Sequence, residues 1–200
     1  MQYMELHPRI AVTTEPVGFP AVSVAEAKLH CRLPSDVTNE DDLLTLFIMA
    51  AAKLLESHAE VALVQQTRTL YLDDFPCDAL RLEVTPIQSL TVKYYNTDGT
   101  LTTVDAADYN TFLQGGPGLI YPKQATPWPT DVMVNKPGAV EVAMVCGYTA
   151  ANLIPPLAKF GILCLIGHWY RNREAVGKVA SELELMWQSV VSSLQWRGHP

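Results

Sequence analysis

The chain has 200 residues, 48% of them hydrophobic and 18% charged, which suffices for one substantial domain, or for one domain that carries an inserted subdomain. Its formal net charge of −7 argues against a protein that grips nucleic acid through the phosphates, because such proteins concentrate Lys and Arg. The charged fraction lies below the roughly 25% of ordinary soluble domains, which predicts that partners cover part of the surface.

The N-terminal segment predicts an extended arm and then a short helix. Residues 1–20 hold β-branched and aromatic residues between prolines, which favours an extended backbone. Ser23 and Glu26 form the S-x-x-E pattern of a capping box, in which each side chain satisfies a backbone N–H at the helix start. We expect this helix to end before Pro34, because the residue that precedes a proline disfavours helical dihedral angles.

A second helix is predicted from Thr38 or Asn39 to about Glu60. The acidic residues 40–42 fall in its first turn, where they complement the positive end of the helix dipole; a metal site is the alternative interpretation. Its apolar stripe is wide, which predicts burial on more than one side. The stripe comprises Leu43, Phe47, Ala50, Leu54 and His58, with Leu44, Ile48, Ala51 and Leu55 beside them.

In the middle of the chain, apolar and polar residues alternate with a period of two, which is typical of half-buried strands. Asn96 to Gly99 reads as a hairpin turn, since glycine readily adopts the positive φ that such a turn needs. A second reversal is expected at 115–118, and a proline-rich loop at 122–137. We therefore predict an antiparallel module of about six short strands, at 70–72, 80–84, 90–94, 101–104, 119–121 and 140–148.

Apolar residues at helical spacing resume after Pro155 and Pro156. These prolines suit a helix start, because proline is well tolerated in the first helical turn. Residues 157 to about 175 predict the central core helix, and residues 180–196 predict an amphipathic helix. The fold class is therefore α+β: a small bundle of N-terminal and C-terminal helices with an inserted antiparallel β module. The predicted boundaries are an extended arm at 1–20, a helical bundle at 21–64 and 153–200, and the β module at 65–152.

No motif for catalysis, metal binding or a cofactor stands out. The cysteines lie far apart without a CxxC pair, which predicts free thiols packed as small hydrophobes. Residues 115–118 lack the GK[ST] of a phosphate-binding loop. Cys164 and His168 share a helical face, but a nucleophile and base also need a third orienting group. The cysteines are Cys31, Cys77, Cys146 and Cys164.

No signal peptide is evident at the N-terminus, and the longest apolar run, at 157–170, falls short of the roughly 20 residues that span a bilayer. We therefore expect a protein that is made in the cytosol and does not enter a membrane.

An ordered set of short segments resembles the phage head–tail connector (adaptor) family, including the related gene transfer agent adaptors. The resemblance extends from about residue 20 to residue 175. The segments are SVAEAK at 23–28, DDLL at 41–44, AAKLLE at 51–56, QQT at 65–67, LYLD at 70–73, FP at 75–76, PIQSL at 86–90, NTDGT at 96–100, DY at 108–109, CGY at 146–148 before Pro155, and HWYRNREA at 168–175.

This resemblance implies a structural subunit of a phage-type virion neck, made in the bacterial host cytoplasm. Members of the family form a ring of about a dozen copies, dock beneath the portal and receive the stopper or tail-terminator ring. DNA passes through their channel during packaging and ejection without sequence-specific binding. The resemblance implies no catalytic residue, no metal and no cofactor.

The aromatic C-terminal stripe is our candidate for the portal or neighbour interface, because Trp is over-represented among residues that dominate binding energy. The alternative is that its tryptophans cover the subunit's own core. Two arginines after the core helix either complement its C-terminal dipole or pair with carboxylates of an adjacent subunit. The predicted interface residues are Met186, Trp187, Val190, Leu194 and Trp196, together with Arg171 and Arg173.

Two other functions remain open at this point. The first is a DNA-binding accessory protein of packaging, which needs a basic second helix, whereas here that helix starts with acids and offers only Lys53 as a cation. The second is an enzyme of an unrecognised class, which requires titratable groups that converge in a cleft. The negative net charge also predicts that the surface facing the DNA carries few Lys and Arg side chains.

Overall fold

The computed structural model describes residues 9–14, 18–76, 79–114, 116–124, 126–173 and 181–195. The chain divides into two compact units. One unit contains residues 9–14 and 65–147 and consists of antiparallel strands; the other contains residues 18–64 and the described residues from 148 onward, and is helical. The predicted α+β fold class is confirmed.

The helical unit contains four α-helices and one short 3-10 helix within the described residues. The predicted capping box is present, because the Glu26 N–H donates to Ser23 Oγ at 3.2 Å and the Ser23 N–H donates to Glu26 Oε2 at 2.7 Å. The second helix begins at Asp41, two to three residues later than predicted. The helices are α1 (Val24–Cys31), α2 (Asp41–Ala59), the 3-10 helix Ala151–Leu153, α3 (Pro156–Arg171) and α4 (Ser181–Leu194).

Helix α2 buries one face, so the prediction that this helix is buried on more than one side is wrong for the isolated chain. The buried residues recur on a single stripe, as expected for a helix at the edge of a core. On the opposite side, Leu46 is 55% exposed and Met49 is 59% exposed. The buried apolar stripe consists of Leu44, Ile48, Ala51, Leu55 and Ala59, and Glu56 is buried beside it.

Helix α3 is the central helix of its unit, as predicted, and contacts α1, α2 and α4. Two glycines permit close approach of its neighbours. A Cβ atom at Gly161 would lie 2.9 Å from Val190 Cγ1 of α4, and one at Gly167 would lie 2.9 Å from His30 Nε2 of α1. Phe47 of α2 packs against Trp169 of α3, with ring centroids 5.9 Å apart.

The strand unit has eight strands within the described residues, rather than about six. The first lies in the segment predicted as an extended arm, and the strand at Tyr109–Phe112 was not predicted. One antiparallel sheet has the order β1-β2-β8-β4-β5, and a second has the order β3-β7-β6. The strands are β1 (Arg9–Thr14), β2 (Gln66–Leu72), β3 (Leu80–Leu82), β4 (Ile87–Tyr95), β5 (Leu101–Thr103), β6 (Tyr109–Phe112), β7 (Gly118–Pro122) and β8 (Val140–Cys146).

The predicted hairpin joins β4 to β5. Gly99 has a φ of +78°, and the Asn96 side chain accepts hydrogen bonds from the Asp98 and Thr100 N–H groups. The asparagine therefore holds the turn through its side-chain oxygen, and glycine supplies the left-handed conformation.

An aromatic cluster fills the core of the strand unit. Trp128, which the proline-rich loop carries inward, stacks on Phe75 with ring centroids 4.8 Å apart. Phe75 also meets Tyr94 edge to face at 5.8 Å, and the Tyr94 hydroxyl donates to Asp131 at 3.1 Å. This loop is therefore a structural part of the core.

The close contact at Gly161 gives a first prediction. Gly161→Ala should lower the free energy of unfolding by about 1–3 kcal/mol, because the added methyl group overpacks against the stiff side chain of Val190. Chemical denaturation followed by far-UV circular dichroism measures the change.

A Gly161→Ala/Val190→Ala double variant is the matched control. Removing the Val190 methyl groups relieves the clash, so the double variant should be less destabilised than the sum of the two single variants by about 0.5 kcal/mol or more. Additive effects would show that the α3–α4 approach does not depend on this contact.

Candidate assembly interface

The C-terminal helix α4 packs most of its apolar stripe against the core of its own unit. Val190 is 1% exposed and belongs to this core. Met186, Trp187 and Leu194 are half-buried and pack against the same core. Trp196 lies outside the described residues. Four of the predicted interface residues therefore hold α4 in place, and the surface that they leave open is smaller than the sequence suggested.

Trp187 connects α4 to the C-terminal end of α2. Its indole N–H donates to Nδ1 of His58 at 3.1 Å, and the two rings meet edge to face with centroids 5.9 Å apart. Gln195 also donates from Nε2 to the backbone carbonyl of His58.

An open groove of about 640 Å³ lies beside this contact, between α2 and α4. Leu185, which is 66% exposed, forms part of its wall. No Asp, Glu, Lys or Arg lines the groove within the described residues. Its lining is therefore apolar and uncharged polar, and includes His58, Leu185, Trp187, Gln188, Ser189 and Ser192.

Arg173 forms an ion pair inside the chain. It donates to Oε1 of Glu40 at 2.7 Å, and the Tyr170 hydroxyl donates to Oε2 of the same carboxylate. The guanidinium also lies over the Tyr170 ring, 4.7 Å from its centroid. These contacts join the C-terminal end of α3 to the N-terminal end of α2.

The electrostatics of this cluster favour the charged carboxylate. The hydrogen bonds from Tyr170 and then from Arg173 lower the pKa of Glu40, and the hydrogen bond to Glu40 raises the pKa of Tyr170. Arg171, two residues away, is exposed and makes no ion pair with any of the described residues. The two arginines that the sequence grouped together therefore differ: one is paired within the chain and the other is open to a partner.

Further ion pairs hold the helical unit together. The buried Lys28 approaches Oδ1 of Asp41 to 2.6 Å and so connects α1 to α2. Lys159 meets Oε1 of Glu26 at 3.2 Å, which connects α3 to α1. The pKa of Glu26 is lowered, first by the Ser23 N–H.

These contacts also decide between the two interpretations of the acidic residues at the start of α2. Glu40 pairs with Arg173, and Asp41 pairs with Lys28. Within the described residues, no group of three or more His, Cys, Asp or Glu side chains is arranged to hold a metal ion. The dipole and ion-pair interpretation therefore fits the geometry better than the metal site does.

The Cys164 and His168 pair does not form an activated nucleophile. Burial raises the pKa of the Cys164 thiol, so the thiol is protonated at neutral pH, and only the thiolate is strongly nucleophilic. His168 instead contacts the Asn172 side chain at 3.4 Å. Cys31 and Cys164 are free thiols, as predicted, and the Cys146 thiol donates to the backbone carbonyl of Gln66 at 3.6 Å, while Cys77 lies outside the described residues.

In the part of the chain that the structure describes, no helix combines the length and hydropathy that a membrane crossing requires. No protein-family model matches the chain, and no curated protein matches it significantly. Solved structures do.

A chain from the neck of an empty gene transfer agent particle, reconstructed with C6 symmetry, is 20% identical with a TM-score of 0.75. A chain from the virion of a native gene transfer agent particle is 21% identical with a TM-score of 0.74. A third, from the neck of a native particle reconstructed with C12 symmetry, is 16% identical with a TM-score of 0.69. Each alignment covers 94% of this chain and 97% of the other.

This chain shares the fold of gene transfer agent neck chains. The similarity agrees with the resemblance to the head–tail connector family, which included the gene transfer agent adaptors. Because the alignments span nearly the whole of each chain, the shared fold includes both the helical and the strand unit.

The Glu40 cluster gives a second prediction. Because its folded-state pKa is lowered, Glu40 stabilises the fold above the ordinary Glu pKa, and this contribution is lost as the pH falls toward the folded-state pKa. The stability advantage of the wild type over Glu40→Gln should therefore be present at neutral pH and shrink below about pH 4.3. Denaturant unfolding at a series of pH values measures it.

The two arginines supply the control at neutral pH. Arg173→Ala should destabilise the chain, because it removes the partner of Glu40. Arg171→Ala, at an exposed position without an ion pair among the described residues, should leave the unfolding midpoint unchanged. Equal effects of both substitutions would contradict the assignment.

Proposed function

We propose that the chain is a structural head–tail connector, or adaptor, subunit. It forms a ring between the portal and the stopper or tail of a phage or phage-like particle, and it lines the DNA channel. The observation that carries the proposal is the near-complete structural alignment, at a TM-score of 0.75, with a chain from a gene transfer agent particle neck. On this proposal the chain has no catalytic role.

The partners follow from that position. Sister copies form a ring of about a dozen subunits, a number supported by the C6 and C12 symmetry of the similar neck structures. The portal contacts one side of the ring, and a stopper or tail-terminator protein contacts the other. DNA passes without sequence-specific binding, which agrees with the net charge of −7. The mature location is the virion neck, after synthesis in the bacterial host cytoplasm.

Helix α4 is the portal-docking element in this proposal. The buried Val190 and the half-buried Met186 fix the helix on its unit, while Leu185 stands exposed at the groove beside Trp187. An uncharged wall with a partly accessible Trp is the kind of surface on which a few side chains supply most of the binding energy. We assign the candidate contacts of Trp187 and Leu194 to the same element, and the contact predicted for Trp196, which lies outside the described residues, stays a prediction.

The third prediction tests the particle role. Deleting the gene should leave heads that do not attach tails, and expressing the wild-type chain should restore attachment. Electron microscopy of purified particles, with the subunit located by cross-linking, should find it at the neck. Intact particles without this polypeptide at the neck would refute the proposal.

The fourth prediction tests the docking helix. Truncation at Glu184 should abolish portal binding, but it also uncovers the core around Val190. Leu185→Ser is the sharper change, because the side chain is 66% exposed. It should weaken portal binding by about 1 kcal/mol, or about fivefold, with unfolding unchanged.

Leu101→Ser, at an exposed position in the strand unit, is the matched control and should not change portal binding. Equal portal binding in wild type and Leu185→Ser would contradict the docking assignment.

A further inference from the structure

The outer side of α2 is an apolar strip with a charge at each end. We define the α2 outer face as Asp42, Leu46, Met49, Ala50 and Lys53, all of them exposed. They recur at helical spacing on the side opposite the buried stripe of α2. Of these five residues, Ala50 alone belongs to the apolar stripe that the sequence analysis names for this helix.

Helix α3 carries a second such strip. We define the α3 outer face as Leu157, Phe160, Cys164 and Arg171. Leu157 is 42% exposed, Phe160 is 49% exposed, Cys164 is half-buried, and Arg171 is exposed without an ion pair among the described residues.

The neighbouring helices contact α3 at other positions. Helix α1 approaches at Gly167, and helix α4 approaches at Gly161. These contacts leave Leu157, Phe160 and Arg171 of the α3 outer face exposed, with Cys164 half-buried among them.

We propose that the α3 outer face of one copy packs antiparallel on the α2 outer face of the next copy in the ring. The proposal rests on the proposed ring function and names the surfaces that the sister copies share. The occupant of each face is thus a second copy of this chain.

The spacing of the two faces carries this proposal. Asp42, Met49 and Lys53 are seven and then four residues apart, since 49 − 42 = 7 and 53 − 49 = 4. Read in the opposite direction, Arg171, Cys164 and Phe160 are also seven and then four residues apart, since 171 − 164 = 7 and 164 − 160 = 4. Because every α-helix rises by about 1.5 Å per residue, the two series stay in register when the helices run antiparallel.

Each pair in that register is chemically complementary. Asp42 meets Arg171 as an ion pair, and Met49 meets Cys164 as two soft apolar side chains. Lys53 meets Phe160, where an ammonium group can lie over the aromatic ring. Charge complementarity at one end and a cation over a ring at the other fix both the direction and the register.

A ring explains why the complementary surfaces lie on one chain. Cyclic contacts above a dimer are heterologous, so every copy must offer two different faces that fit each other. The two arginines differ in the same way. Arg173 forms an ion pair with Glu40 of its own chain, whereas Arg171 forms no ion pair among the described residues.

A charge exchange in assembling particles tests the contact. Asp42→Arg and Arg171→Asp should each reduce the amount of the chain incorporated at the neck about tenfold or more, because like charges then face each other. The combined variant, Asp42→Arg/Arg171→Asp, should restore incorporation to within about twofold of the wild type, since the ion pair is rebuilt in reverse. Asp36→Arg, an exposed acid in the loop before α2, is the control and should not change incorporation.

A cross-linking experiment supplies a second measurement that does not depend on charge. Asp42→Cys/Arg171→Cys, treated in assembled particles with a short bis-maleimide, should give a ladder of covalent multimers. Either cysteine alone should not give multimers beyond those seen in the wild type.

The outcomes separate the two proposals. If the wild-type chain occupies the neck but the combined variant is not restored and no ladder forms, this contact is refuted and the connector function stands. If the wild-type chain is absent from the neck, the connector function fails and this contact falls with it.

Discussion

The helical unit depends on the close packing of three helices around α3. Gly161 and Gly167 remove side chains where α4 and α1 approach, so that Val190 and His30 reach the α3 backbone. Such contacts place α4 at a defined position, although Val190 is the one residue of this helix whose described side chain is fully buried in the core. Long-range ion pairs, including that of Glu40 with Arg173, then fix the ends of the helices.

Residues 65–147 of the strand unit are inserted between α2 and α3, β1 joins the same unit from before α1, and each unit has a core of its own. An insertion of this kind is tolerated when the inserted segment buries its own apolar surface. Here it does so with two antiparallel sheets and an aromatic cluster around Phe75 and Trp128.

Local patterns predicted most of the fold because local contacts cause it. The Ser23 and Glu26 capping box, the Asn96 to Gly99 turn and the Pro156 helix start are all decided within a few residues. What the sequence missed is long-range. The partners in the His58–Trp187 and Glu40–Arg173 contacts are 129 and 133 residues apart. Strand β6 was missed for a different reason, since it has only four residues. No periodicity reveals which side chain such a residue will meet.

The one clear error about burial points to assembly. The α2 stripe was predicted to be buried on more than one side, yet its members Ala50 and His58 are exposed, as are Leu46 and Met49 beside it. Exposing large side chains on a helix is unfavourable in water, and a low charged fraction of 18% offers little to offset it. The same applies to Leu157 and Phe160 of α3. In the proposed ring, contacts between copies bury both faces, which differ in sequence and match in spacing, and a closed ring leaves neither face free at an end.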